Sequence, residues 1–198
     1  MMINRSVEFF DTQFQRQVSQ GDFALNPFEK LALPFLRGRV LDLGCGLGNL
    51  TIEAARRGCS VLALDASVTA IERIRNVAVA EGLAIEAEIT DLTTYQITED
   101  FDVIVSVGLL MFLESFQAHS ILDTVQSHVR SGGSAVINVL IEGTTYLDMF
   151  EPGRYYLFGR SELQDRFSGW ELVESRYDSF EAPGPSVKAF ATVVARKP

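Results

Sequence analysis

The chain has 198 residues, 47% hydrophobic and 22% charged, enough for one globular domain with a full core. Its net charge is −9, from 17 Lys and Arg against 26 Asp and Glu, and no basic run exceeds Arg56-Arg57. Nucleic-acid affinity rests largely on neutralising phosphates, so this balance argues against a DNA or RNA partner.

Helical periodicity is predicted over residues 4 to 18, with Val7, Phe10, Phe14 and Val18 on one face, broken at Gly21-Asp22. A second helix is expected from Asn26 to Leu36, with Asn26 as N-cap and Pro27 at the first helical position. Strand and helix patterns then alternate. Arg39–Leu43, Ser60–Leu64, Ala84–Ile89, Phe101–Val107 and Ser134–Ile141 read as strands. Leu47–Arg57, Ser67–Glu81 and Phe116–Val129 read as helices, the last two ended by Gly82 and by Ser131-Gly132-Gly133. This alternation predicts a doubly wound, mostly parallel α/β sheet with right-handed crossovers.

The tail differs. Glu142 to Gly159 is irregular and aromatic, and Arg160–Phe167 has the pattern of a short helix. Glu171–Phe180 and Lys188–Arg196 are strands in succession around Pro183-Gly184-Pro185, which predicts an antiparallel hairpin at one edge of a seven-stranded sheet. The expected organisation is a single domain over 1–198. It divides into a helical cap (1–36), a ligand-binding core (37–141), and a substrate-side segment with the hairpin (142–198).

Ligands of open α/β sheets bind at the carboxyl ends of the strands. The first strand runs into Asp42-Leu43-Gly44-Cys45-Gly46-Leu47-Gly48-Asn49. Gly44 and Gly46 let bare backbone approach a nucleotide-like ligand. A dinucleotide fingerprint would need a third glycine where Asn49 stands, which argues against an NAD-type oxidoreductase. Asp65, after the second strand, is placed to accept hydrogen bonds from both hydroxyls of a ribose. The end of the fourth strand, Ser106 to Glu114, carries no acid–base catalyst in its apolar run.

The Asp-x-Gly-x-Gly-x-Gly loop resembles the cofactor loop of class I S-adenosylmethionine (SAM)-dependent methyltransferases. That resemblance implies a seven-stranded Rossmann-like fold and a cofactor site made by Asp42, Gly44, Cys45, Gly46, Asn49, Asp65, Ala66, Asp91, Leu92 and Ser106. In that pattern Asp91 accepts from the adenine amine and Leu92 packs on the ring.

Phe101–Ser106, Leu110–Glu114, Gly169-Trp170-Glu171 and Phe190–Lys197 narrow the likeness. They are similar to the tellurite-resistance (TehB-type) methyltransferases, which implies a small, soft acceptor such as a thiol or a selenium or tellurium oxyanion. That family carries a His-Arg pair before the last strand, whereas Asp178 to Pro185 here contains neither.

The function expected is methyl transfer to a small molecule, with Phe112, Tyr146, Tyr155, Tyr156 and Phe158 lining the acceptor pocket. The first helix and residues 143–159 would close over it. A non-catalytic SAM-binding module and a protein or RNA methyltransferase are the alternatives. No catalytic residue is assigned, and no metal is expected. Cys45 and Cys59 suit neither a disulfide framework nor a metal site. His119 and His128 read as exposed helix residues, and the acids at 86, 88, 99 and 100 as solvated. The N-terminus lacks a signal pattern, and Val103–Leu113 is too short to span a bilayer, so the expectation is a cytoplasmic protein without membrane contact.

Overall fold

The computed structural model describes residues 5–198. Asn4, the expected start of the first helix, and residues 1–3 of the stretch without a signal pattern lie outside them. A seven-stranded sheet runs in the order β3-β2-β1-β4-β5-β7-β6. Its strands are β1 (Arg39–Leu43), β2 (Ser60–Asp65), β3 (Ile85–Ile89), β4 (Phe101–Val107), β5 (Val129–Leu140), β6 (Glu171–Ala182) and β7 (Ser186–Arg196). The first five are parallel, while β7 is antiparallel to both β5 and β6.

The chain order reverses between β1 and β4, the switch point at which open α/β sheets form a ligand crevice. The helices are α1 (Arg5–Gln20), α2 (Pro27–Ala32), α3 (Asn49–Arg56), α4 (Val68–Glu81), α5 (Ser115–His128) and α6 (Glu162–Arg166).

The sheet is buried on both faces because its strands are apolar on both sides. Leu41, Leu43, Ile104, Ile137 and Val193 pack toward Leu122 and Val125 of α5 and Leu163 of α6. Val40, Val61, Val103, Val136 and Val194 pack toward Ala32 of α2, Leu50 and Ala54 of α3, and Ile71 and Ile74 of α4. Among the described residues, no helix is long and apolar enough to cross a membrane.

Several boundaries differ from the sequence reading, each for a local reason. The second helix stops at Ala32 and continues as a 3-10 turn over Leu33–Phe35, because Pro34 has no N–H for the ladder. Its start is as expected: the Asn26 side chain caps Phe28 and Glu29, and Glu29 caps Asn26 in return.

The helix after β1 begins at Asn49, since Gly48 adopts φ 73° and cannot belong to it. The fifth helix ends at His128 rather than in the glycines. The chain turns directly into β5, with Val129 paired to Phe101. Gly132 and Gly133 instead lie inside β5, where they exchange backbone hydrogen bonds with Lys197. A Cβ at Gly133 would press against the Asp102 carbonyl, so glycine permits the close approach. The hairpin strands run longer than expected, pairing out to Ala182 and Ser186 beside the Pro-Gly-Pro turn.

Candidate cofactor and acceptor site

The loop after β1 is tied to the end of β2. Gly44 and Cys45 donate their backbone N–H groups to the Leu64 carbonyl at 2.8 and 3.0 Å. Asp65 accepts from the Gly46 N–H at 2.8 Å through Oδ2 and from the Ser67 N–H at 2.9 Å through Oδ1. Burial pushes the Asp65 carboxyl above its ordinary value, and these backbone donors partly offset the shift. Gly44, Gly46 and Gly48 all have positive φ, at 71°, 51° and 73°.

Their roles differ. A Cβ at Gly48 would collide with Ile74 and one at Gly44 would stand 2.9 Å from Leu109, so these two allow core packing. Gly46 instead faces α1, with the ring of Phe14 lying 3.3 Å from the position of its missing Cβ.

Asp42 is buried, and Thr51 of α3 donates to its Oδ2 at 2.6 Å. Burial raises its pKa to about 7, with Glu29 and Asp65 adding repulsion. Cys45 is also buried, which holds its thiol well above the ordinary range and makes it a poor nucleophile. Asn49 lines a shallow cleft with Phe23, Ile52 and Arg73 on the outer side of α3. There Arg73 stacks over Phe23 and donates to the Leu47 carbonyl.

Asp65 ends β2 opposite Ile89, the last residue of β3, and Ala66 and Asp91 follow these two strand ends. Asp91 Oδ1 accepts from the Thr93 N–H and hydroxyl at 2.9 and 2.6 Å, while the residue itself is exposed. Leu92 is turned into the core. Ser106 is fully buried inside β4, and its hydroxyl has no hydrogen-bond partner among the described residues.

Helix α1 crosses above this crevice. Glu151 donates its N–H to the Ser6 hydroxyl at 3.2 Å. Phe10 meets Phe112 edge-on at 5.1 Å, and Asp11 accepts from the Ser67 hydroxyl at 2.5 Å. The helix therefore bridges residues 142–159, the end of β4, the glycine loop and the end of β2. Sequence periodicity identified Phe10 and Phe14 as one helical face but gave no sign of Asp11, whose partner lies 56 residues away.

The five expected acceptor-pocket residues divide into two groups. Phe112, Tyr146 and Tyr155 share a cluster with Phe9, Met111, Leu140, Met149, Phe150 and Phe190. Tyr156 and Phe158 lie against α5 and α6 instead. Phe158 is wholly buried, and the Tyr156 hydroxyl donates to Glu162 Oε2 at 2.9 Å.

His119 is not a free surface histidine as expected. Its Nε2 lies 2.7 Å from Glu162 Oε1, its ring is 5.4 Å from that of Tyr156, and it is half-buried. The fold brings α6 onto the first turns of α5, which periodicity within one helix cannot register. His128 pairs with Asp100 at the surface, and Glu86 and Glu99 both pair with Arg39.

Two further features went unread in the sequence. Asn138 is fully buried in β5, donates Nδ2 to the Thr192 hydroxyl at 2.8 Å, and has no partner for its Oδ1 among the described residues. A polar residue in the middle of Ala135–Ile141 was the available signal. Lys188 lies at the start of β7 with its ammonium 4.7 Å from the centre of the Tyr146 ring. No group of three or more His, Cys, Asp or Glu among the described residues is placed to hold a metal ion.

The family profile described as "Tellurite resistance protein TehB" matches residues 5–182. Hemagglutinin 1 of Eikenella corrodens is 28% identical over 166 residues, covering 81% of this chain and 55% of that protein. The "Probable S-adenosyl-L-methionine-dependent methyltransferase TehB" of Haemophilus influenzae (strain 10810) is 30% identical over 166 residues, covering 80% and 57%. The chain thus spans little more than half the length of these relatives.

The crystal structure of TehB from Haemophilus influenzae superposes with a TM-score of 0.77 at 24% identity, covering 92% of this chain and 65% of that one. At that identity the superposition speaks for the fold. The family assignment rests on the profile match, which takes in the glycine loop, the first six strands and the aromatic segment: the chain belongs to the TehB tellurite-resistance family.

Proposed function

We propose that the protein is a SAM-dependent methyltransferase acting on a small, soft nucleophile such as a thiol. The observation that carries this reading is the clasp between Asp65 and the Gly44–Gly46 loop at the switch point, closed from above by α1. The cradle fits the cofactor: Gly46, beneath Phe14 of α1, has no Cβ to obstruct a ligand, and a carboxylate stands at the end of β2. The name of the Haemophilus relative, a probable S-adenosyl-L-methionine-dependent methyltransferase, supports the same cofactor.

When bound, SAM supplies a methyl carbon already made electrophilic by its sulfonium. This chain's residues then have three tasks. Asp65 and the loop backbone bind and orient the nucleoside, with Asp91 toward the base. Asp65, joined by Asp42 as that carboxyl ionises near pH 7, gives the crevice a negative character suited to a cationic ligand. Phe10, Phe112 and Phe150, whose rings lie 5.1 and 4.9 Å apart in succession, exclude water beside the end of β4. Alignment without a protein base suffices for a nucleophile that ionises on its own.

The test is twofold. S-adenosylhomocysteine (SAH) should raise the melting temperature, and radiolabelled methyl should pass from SAM to a thiol in a single turnover. Stabilisation without transfer to any acceptor would favour a non-catalytic binding module. No stabilisation of ligand-free protein at millimolar SAH would overturn the reading.

A further inference from the structure

Lys188 is half-buried, yet the one partner described for its ammonium is the Tyr146 ring. No carboxylate pairs with it among the described residues, although the chain carries 26 acids. Elsewhere on the same half of the molecule, Arg166 pairs with Asp123, Arg176 with Asp178 and Arg196 with Glu171, Lys197 donates to three backbone carbonyls, and the exposed Arg160 stacks on Tyr177. An ammonium partly withdrawn from water without a counter-charge is less well solvated, and that partial burial lowers its pKa. A transient anion would relieve that cost.

The register shows where the anion would sit. Side chains alternate along a strand, so Lys188, Phe190, Thr192 and Val194 share one face of β7. Thr192 is opposite Asn138 and Phe190 opposite Leu140, the last residue of β5. Lys188 therefore lies beyond the carboxyl end of the parallel strands, on the ligand side. Residues 144–146 fold across it, with Thr145 and Tyr146 donating to the Val187 carbonyl at 2.9 and 3.2 Å. Lys188 connects to the end of β4 through one aromatic cluster: its ammonium lies on Tyr146, which shares that cluster with Phe190, Tyr155 and Phe112.

The end of β4 itself is located by the Gly108 N–H, which donates to the Asn138 carbonyl at 3.0 Å. From Thr192 to Lys188 is four residues, about 13 Å at the usual strand rise. Even with the lysine stem folded back, several ångströms separate its ammonium from a nucleophile poised at the end of β4.

We propose that Lys188 binds an anionic group of the methyl acceptor, several atoms removed from the nucleophile, so that the acceptors are organic thiols bearing a carboxylate. This inference rests on the methyltransferase reading and specifies its substrate. A compact oxyanion, whose charge and nucleophilic atom coincide, could not reach both places at once. Lys188 is a specificity residue that takes no part in the transfer itself. The thiolate pair forms the new S–CH3 bond, the C–S bond to the sulfonium breaks, and its electrons return to that sulfur. The thiol proton leaves to solvent beforehand.

The experiment compares 3-mercaptopropionate with 2-mercaptoethanol in wild type, Lys188→Met and Lys188→Arg. Ratios between enzymes are taken for each thiol separately, so that intrinsic nucleophilicity cancels. Lys188→Met should raise KM for 3-mercaptopropionate about tenfold, leave kcat within twofold, and leave both constants for 2-mercaptoethanol unchanged. Lys188→Arg should restore most of the loss.

Stabilisation of each variant by SAH, measured in parallel, reports the cofactor site independently. If SAH stabilises all three proteins and the two thiols respond alike to Lys188→Met, the inference fails while the cofactor reading stands. It fails equally if neither thiol is turned over nor further stabilises the SAH complex. Loss of SAH stabilisation in the wild type would instead refute the methyltransferase reading beneath it.

Discussion

The two halves of the sheet do their work in different ways. On the β3-β2-β1 side the proposed ligand contacts come from backbone and short side chains: the Gly44–Gly46 loop, Asp65 and Asp91, all within two residues of a strand end or in the loop that follows it. On the β4-β5-β7-β6 side they come from large rings gathered from α1, the turn after β4, residues 142–159 and β7. The first half recognises through local geometry and the second through tertiary assembly. Under the proposed function, a cofactor shared by many enzymes calls for the former, and an acceptor peculiar to one enzyme is accommodated by the latter.

The division predicts that each half also contains residues that serve the fold alone. Gly48→Ala, on the nucleotide side, combines a left-handed backbone with a collision against Ile74. Phe158→Ala, on the acceptor side, leaves a cavity where a wholly buried ring stood. Each should cost about 3–5 kcal/mol in urea denaturation. If Phe158→Ala were stable but deficient only in acceptor KM, Phe158 would belong to the pocket after all and the boundary between scaffold and site would have to move.

Asp42 tests the electrostatics of the nucleotide half. Its folded pKa is about 7 against an ordinary value of 3.8, so the native state holds a proton that the unfolded chain releases. Stability from this group is therefore complete below about pH 4 and is lost as pH rises through 7, by at most about 4 kcal/mol. Asp42→Asn should remove that slope and gain on wild type by about 1.4 kcal/mol per pH unit between pH 5 and 7. The same proton links to binding. A cationic ligand favours the ionised carboxylate, so affinity for SAM should rise with pH over this window more than affinity for SAH does. Parallel pH profiles for the two ligands would show that the sulfonium does not sense these carboxylates.

Asp65 and Asp91 rank the contacts within that half. Asp65→Asn should weaken SAH by about 1.5–3 kcal/mol, since a charge-assisted acceptor is lost where two hydroxyls converge. Asp91→Asn should cost about 1 kcal/mol, because its Oδ1 is already engaged by Thr93 and the residue is exposed. Calorimetry at one pH decides the order, and a reversal would place the ribose at β3.

The fold of the β3-β2-β1 side was largely legible in the sequence, and little of the packing on the other side was. The strand that ends in Asp42, the glycine spacing and Asp65 are near neighbours in sequence, and their meaning depends on backbone rules that hold in any context. The alternation that predicted five parallel strands and a hairpin rests on the same local periodicities.

The acceptor side depends on contacts that no window of sequence contains. His119 meets Glu162 across 43 residues, Phe10 meets Phe112 across about a hundred, and Lys188 meets Tyr146 through a segment with no regular structure. Tyr155 and Tyr156 are adjacent in sequence yet join opposite clusters, because an extended backbone sends neighbouring side chains to opposite faces. Aromatic composition alone pointed to a pocket without showing which rings face it.

Helix α1 joins the two halves, and its effect is the smallest in energy but the most diagnostic in kinetics. Its inward residues touch Glu151, Phe112, Gly46 and Ser67, so it spans the proposed cofactor and acceptor regions together. Asp11→Ala removes one hydrogen bond to the Ser67 hydroxyl, worth about 1 kcal/mol at a partly exposed site, and also relieves repulsion on Asp65. Global stability should change by no more than that. If α1 must lift for the cofactor to enter and leave, both the association and dissociation rates of SAH should rise several-fold in stopped-flow displacement. The equilibrium constant should move less than either rate, since a weakened cover eases passage in both directions. A change confined to the dissociation rate would mean that Asp11 contacts the bound ligand itself, making α1 part of the cofactor site rather than a cover over it.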